Sequence, residues 1–126
     1  MIFHETHEKV MDGTKTQTRR LVRDGDFSLG WPMMGVFSGA KGNRLRFREN
    51  QTYAVQPGRG KYAIGRIGII KIRRECLNSI THDDAQAEGV GRSIAAFAEL
   101  WDNIHPKGKR WIDNPDVWVL EFELVP

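Results

Sequence analysis

At 126 residues the chain has room for one domain with a modest core. A hydrophobic share of 40% against 28% charged residues, with four Trp, excludes a disordered chain, and no run approaches the ~20 apolar residues of a membrane span. The net charge of +3 is a mild basic bias, compatible with a nucleotide or nucleic-acid partner without requiring one.

In chain order, Met1 to Phe3 starts a short strand, and Thr6 caps a helix that runs to about Met11, with Val10 and Met11 facing inward and Gly13 as its stop. The N-terminus has no apolar stretch of the kind a signal peptide needs, which predicts a cytoplasmic protein. Lys15 to Val22 alternates Thr with long polar residues and reads as a strand. Residues 24–50 read as a long irregular excursion, rich in Gly, with Trp31-Pro32 and the basic group Lys41, Arg44, Arg46 and Arg48. A loop of that length either covers a pocket, with Trp31, Met33, Met34 and Phe37 packing beneath it, or tiles the surface.

Thr52 to Gln56 is a strand ended by Pro57-Gly58. Tyr62 to Ile72 carries the strongest β signal, and its internal Gly65 and Gly68 point to a bulge or a tight bend. The lone Cys76 rules out an internal disulfide, suits a reducing compartment and, after so apolar a run, reads as a buried structural thiol. Thr81 caps a helix through Glu88, with Asp84 placed for a capping box and Gly89 as the stop. Ser93 caps another through about Ile104, whose stripe Ile94, Phe97, Leu100, Trp101 and Ile104 reads as core. Val117 to Leu124 closes the chain as a strand. About five short strands and three small helices without a βαβ pattern predict an α+β fold: a small twisted sheet or barrel with helices at its ends. The strands at Lys15–Val22, Tyr62–Ile72 and Val117–Leu124 are expected to share one mixed, strongly curved sheet.

No metal or cofactor is expected. His4 and His7 have i,i+3 spacing, but His82 and His105 lack a second ligand, and His82 beside Asp83 and Asp84 reads as part of a helix cap. Walker, dinucleotide and nucleophile-elbow motifs are absent. The densest chemistry lies in Gly13-Thr14-Lys15-Thr16-Gln17-Thr18-Arg19-Arg20. Its plain reading is an exposed edge strand kept soluble by its cations. Its functional reading pairs the Thr18 hydroxyl, a nucleophile that needs a base, with a Lys15 amine kept neutral by desolvation and by Arg19 and Arg20. Positions three apart on a regular strand face opposite ways, so the pair converges only if Lys15 still sits on the turn after Gly13 or a bulge intervenes. Glu88, at the end of its helix, is either a solvated carboxylate or a buried general acid or base.

The segment Gly13-x-Lys15-Thr16-x-Thr18-x-Arg20 resembles the signature of ASCH domains, relatives of the PUA fold. The similarity continues through Ala63-Ile64-Gly65-Arg66-Ile67, Asp83-Asp84-Ala85-x-x-Glu88-Gly89, Trp101 and Val117-Trp118-Val119-Leu120-Glu121-Phe122, and departs over residues 24–50. The resemblance implies a small mixed β-barrel with short flanking helices and a cleft, over residues 1–126 as a single domain. Within the family it is most similar to amidohydrolases acting on N4-acetylcytidine, which implies catalytic roles for Lys15, Thr18 and Glu88 and a nucleoside substrate. Arg19, Arg20, Trp31 and Arg66 are the expected substrate-binding residues, with Arg20 or backbone amides holding an oxyanion and Trp31, Trp111 or Trp118 stacking on the base. Family members linked to RNA leave an alternative: an RNA-binding module, or a ribonuclease, using Lys15, Arg19, Arg20, Arg23 and the 41–48 group on phosphate. The oligomeric state is open, and no membrane partner is expected.

Overall fold

The computed structural model describes residues 1–30 and 34–126. The elements are α1 (His7–Met11), β1 (Gln17–Leu21), β2 (Asp26–Leu29), β3 (Gly35–Ser38), β4 (Arg44–Arg48), β5 (Thr52–Val55), β6 (Gly65–Cys76), α2 (His82–Ala87), α3 (Ile94–Ile104) and β7 (Asp116–Leu124). None of these helices is long and apolar enough to cross a membrane.

Strand β7 is the spine, because its side chains are apolar on both faces and each face has a cover. Val117 and Val119 pack with Leu77, Ala85, Phe97 and Trp101 on the α2–α3 side. Trp118 and Leu120 point the other way, into Val36, Phe47, Ile69 and Ile72. Phe122 continues into a third group with Phe3, Val10, Val55 and Ile67. Fully burying one such side chain contributes roughly 1.5–3 kcal/mol, so this nine-residue strand anchors much of the core.

The expected pairing is present: β1 and β6 flank β7 in a sheet of order β1-β7-β6-β5. The sheet is antiparallel throughout rather than mixed, and Ile2–Gln56 is an isolated parallel bridge beside it. The helices leave and return to the same end of the sheet, since Cys76 lies opposite Asp116, so β6 and β7 must run in opposite directions. The sheet is open, with β1 and β5 at its edges.

The largest departure lies in residues 24–50. The excursion is not irregular: β2, β3 and β4 form a second antiparallel sheet. Short alternating runs build it, with Phe27 stacked on Phe37 at 5.5 Å and Val36 and Phe47 turned onto the Trp118–Leu120 face. Trp31 and Met33 lie outside the described residues.

Smaller corrections follow from packing. β6 starts at Gly65 and runs on to Cys76, leaving Tyr62 95% exposed. Cys76 ends the strand and is exposed rather than buried. A register shift between Ile69 and Lys71 extrudes Ile70. Thr6 precedes α1 without a capping bond, whereas Thr81 with Asp84, and Ser93, cap their helices as expected. In α3 only Phe97 and Trp101 are buried, and Ile104 is exposed.

Two positions in this sheet test its packing and register. Leu120→Ala should lower unfolding stability by about 2–5 kcal/mol, the usual range for a cavity in a packed core. Ile70→Ala, at a bulge position 53% exposed, should cost less than ~1 kcal/mol. Urea denaturation of both variants checks this, and equal losses would contradict the register shift.

Candidate active site

Gly13 adopts φ +82° after α1, and the chain turns there before β1 begins at Gln17. Lys15 therefore sits on the turn, not in the strand, so the strand's alternation does not fix its side relative to Thr18. Its amide donates to the Lys9 carbonyl at 3.0 Å. Thr16 then ties the turn to two other elements, donating to the Ala87 carbonyl at 2.8 Å and accepting from the Phe122 amide at 2.9 Å.

The end of α2 closes over Lys15. Glu88 is its C-cap, and Gly89 follows at φ +91°. A side chain at 89 would strain that conformation and place its Cβ 3.0 Å from Lys9 Cδ and 3.3 Å from Lys15 Cβ. Glycine thus permits both the helix stop and the close approach.

The result is a buried ion network. Glu88 is 3% exposed, and Lys15 and Arg19 are each 4% exposed. Lys15 Nζ donates to Glu88 Oε1 at 2.8 Å and to the Glu88 carbonyl at 3.2 Å. That carbonyl is one of those a helix C-terminus leaves unpaired, so a cation there is favourable twice over. Arg19 Nη1 donates to Glu88 Oε2 at 2.8 Å and to Gln17 Oε1 at 2.7 Å. Its Nη2 donates to Glu75 Oε1 at 2.9 Å and pairs with Asp84 Oδ2 at 3.3 Å.

Burial pushes the Lys15 amine below its ordinary pKa. The charge and hydrogen bond of Glu88 pull it part of the way back, and Arg20 and Arg19 press it down again. For Asp84, burial acts to raise the pKa, but bonds from the Thr81 amide and Gln17 and the charge of Arg19 hold it below the usual carboxylate range. Burial brings the Arg20 guanidinium down to about 10, which leaves it a cation at neutral pH.

Lys15, Thr18 and Glu88 all line one cavity of about 460 Å³. One wall is apolar and comes from α3: Phe97, Leu100, Trp101 and Ile104. Ile2 and Phe3 add to it, and Arg20, Arg23, Arg46 and Lys109 bring positive charge. Arg20 Nη2 donates to the Ile2 carbonyl at 2.7 Å, its guanidinium lies 5.1 Å from the Phe3 ring centroid, and its buried Nε has no partner among the described residues. His105 also lines the cavity, stacked on Trp101 at 3.7 Å. Burial lowers its pKa and the charge of Arg20 adds to this, against the bond to the Trp101 carbonyl. Among the described residues no group of three His, Cys, Asp or Glu side chains is gathered to hold a metal.

The sequence-predicted residues divide clearly. Lys15, Thr18, Glu88, Arg19 and Arg20 line one cavity, although the donors of Arg19 are largely committed to neighbouring side chains. Arg66 is not part of the cavity. It is exposed on β6, with Nη2 donating to Thr52 Oγ1 at 2.9 Å, and β7 separates β6 from β1. Trp118 is 1% exposed and donates from Nε1 to Asp26 Oδ2 at 3.1 Å, so it is core rather than a stacking surface. Trp111 packs its edge on Phe97 at 6.4 Å, away from the cavity lining, and Trp31 falls outside the described residues. Sequence reasoning missed Leu100 and Ile104 as a cavity wall. The signal was an α3 stripe wider than one buried face needs.

Replacing Glu88 tests the network. Glu88→Gln leaves Lys15 and Arg19 buried without their shared carboxylate, and should cost about 3–5 kcal/mol in chemical denaturation. Because Glu88 holds the Lys15 pKa up, the Lys15 titration, followed by nuclear magnetic resonance at Nζ, should move further down in that variant. An unchanged midpoint would mean the pair is not formed.

No family model matches the chain, and no curated protein matches it in sequence. Solved structures do match in shape. A DUF984 protein from Enterococcus faecalis V583 superposes with a TM-score of 0.64 at 16% identity, over 97% of this chain and 68% of the other. An ASCH domain from Lactobacillus crispatus JV V101 gives 0.63 at 18% identity, over 94% of this chain and 69% of its own. The architecture of two antiparallel sheets with short helices around the Lys15–Glu88 cavity is an ASCH-domain fold.

Proposed function

We propose that the chain is an amide hydrolase that removes the acyl group from N4-acetylcytidine or a related N4-acylated cytosine nucleoside. The observation that carries this reading is the buried Lys15–Glu88 pair lining the same cavity as Thr18. A desolvated lysine with a depressed pKa can act as a general base, and a hydroxyl facing the same cavity as such a base can serve as a nucleophile.

In this mechanism the Thr18 hydroxyl oxygen attacks the acyl carbonyl carbon and its proton passes to neutral Lys15 Nζ. The oxyanion is met by Arg20, whose Nε–H is otherwise unbonded. The carbon–N4 bond then breaks, and Lys15 returns its proton to the departing amine, giving the free nucleoside. Water hydrolyses the Thr18 ester by the same route, losing a proton to Lys15, and releases the carboxylic acid and the free hydroxyl. Glu88 aims the Lys15 amine throughout, with both Lys15 hydrogen bonds directed to it. The Phe97–Trp101 wall supplies apolar surface for a base. An RNA-binding module or ribonuclease is the competing reading, but it would need Lys15 and Arg19 for phosphate, and each already faces Glu88.

Incubation with N4-acetylcytidine, followed by chromatography for cytidine, tests the activity directly. Lys15→Arg keeps the charge but removes the base, and should lower kcat/KM by about 10²–10⁴. Thr18→Ser should retain turnover, while Thr18→Ala should lose nearly all of it. The base is the deprotonated amine, so kcat/KM should rise with pH through the Lys15 pKa, at a pH below that of an ordinary lysine. A rate that is flat across that range, or full turnover by Thr18→Ala, would remove the assignment.

A further inference from the structure

The cavity holds more positive charge than the proposed chemistry uses. Beyond Lys15, Arg19 and Arg20, its lining carries Arg23, Arg46 and Lys109, against Asp24 as the one carboxylate of the lining besides Glu88. Arg46 arrives from the second sheet on β4, and it is fixed there. Its Nη1 donates to Asp26 Oδ2 and, at 3.3 Å, to the Leu21 carbonyl, and its guanidinium lies 4.8 Å from the Phe47 ring centroid. The same Oδ2 also accepts from the Arg23 amide at 2.9 Å and from Trp118 Nε1 at 3.1 Å. One buried carboxylate oxygen therefore serves three donors, and none of them is the Arg23 guanidinium. Arg23 and Arg46 are close enough that each depresses the pKa of Arg20, and Arg23 depresses that of Arg46. Arg20, Arg23 and Arg46 line the same cavity, Asp26 pairs with Arg46 alone, and planar guanidiniums match phosphate oxygens in bidentate fashion.

We propose that Arg23, Arg46 and Lys109 form a phosphate subsite, so that the substrate is a mononucleotide, the phosphate ester of the N4-acylated nucleoside, rather than the nucleoside alone. This rests on the hydrolase reading for the base-binding end, and the phosphate end stands on its own geometry. A cavity of about 460 Å³ lies in the usual range for a small ligand, which favours a mononucleotide over a polymer. Residues 24–50, where the chain departs from the ASCH resemblance, then contribute to binding, because they carry Arg46 and the Asp26 that holds it.

Isothermal titration calorimetry with cytidine, cytidine 5′-monophosphate and inorganic phosphate tests the subsite without any catalytic step. The monophosphate should bind at least about tenfold tighter than cytidine at low salt, and inorganic phosphate should compete with it. The double variant Arg23→Gln/Lys109→Gln, at two exposed positions, should bring the two affinities close together. Reading the ratio separates this effect from any general loss of fold. Equal affinities in the unmodified protein would overturn the subsite while leaving N4-acylcytidine hydrolysis intact. So would a ratio untouched by the double variant, or no binding of any of the three probes. A 5′-phosphorylated RNA oligomer binding tighter than the monophosphate would overturn the mononucleotide class. If N4-acetylcytidine is not hydrolysed but the ratio and its loss are observed, the hydrolase reading fails and the phosphate subsite stands.

Discussion

Much of the structure depends on a single buried carboxylate. Glu88 lies where solvation is lost, and an ion there costs several kcal/mol unless it is fully partnered. Both its oxygens are: Oε1 faces Lys15 and Oε2 faces Arg19. Those cations come from the turn before β1 and from β1 itself, and Arg19 passes the connection on to Glu75 on β6 and Asp84 on α2. Arg73 joins Glu75 and Asp84 from outside. The network thus fixes the helix end against the edge strand β1, which has a neighbouring strand, β7, on one side only. Apolar burial around β7 supplies most of the stability, and the ion network specifies which helix end meets which turn.

Position on the sheet edge matters for the site. A central strand has both ladders occupied and both faces covered, as β7 does. At the edge, β1 pairs on one side with β7 and leaves room beside it for a cavity roofed by α3 and the N-terminal Ile2–Phe3. The second sheet reaches the same space from another direction through Arg46. Asp26 is the joint between the two sheets, since one of its oxygens accepts from Trp118 on β7 and from Arg46 on β4.

Local signals in the sequence were legible where the chain itself determines the outcome. The Thr81–Asp84 capping box, the Ser93 cap and the strand over Val117 to Leu124 depend on neighbours in sequence, and all are present. The three residues singled out as candidates for catalysis share a cavity. What failed depended on tertiary partners. The strands of 24–50 are only four or five residues long, and the gain from pairing them comes from distant Trp118 and Leu120, which no local pattern reveals. Cys76 looked buried by its position after an apolar run, but the strand carries it past the covered face. Arg66 belongs to a motif in the expected order yet lies on the wrong side of β7, because motif order says nothing about which strands are neighbours.

The Lys15–Glu88 pair also contains a tension that bears on how such a site can work. Burial favours the neutral amine and the carboxylate favours the ammonium, so the same partner that fixes Lys15 in place also opposes the loss of its proton. In this structure desolvation is the larger influence, with Arg19 and Arg20 acting in the same direction. A base filling the space against Phe97 and Trp101 would expel water and strengthen every one of these interactions, because each acts in a lower dielectric. A carboxylate already shared with Arg19 is a weaker counter-ion for Lys15 than a free one. Arg19 therefore does more than hold the turn: by taking Oε2 it shares the Glu88 charge that would otherwise act on Lys15 alone.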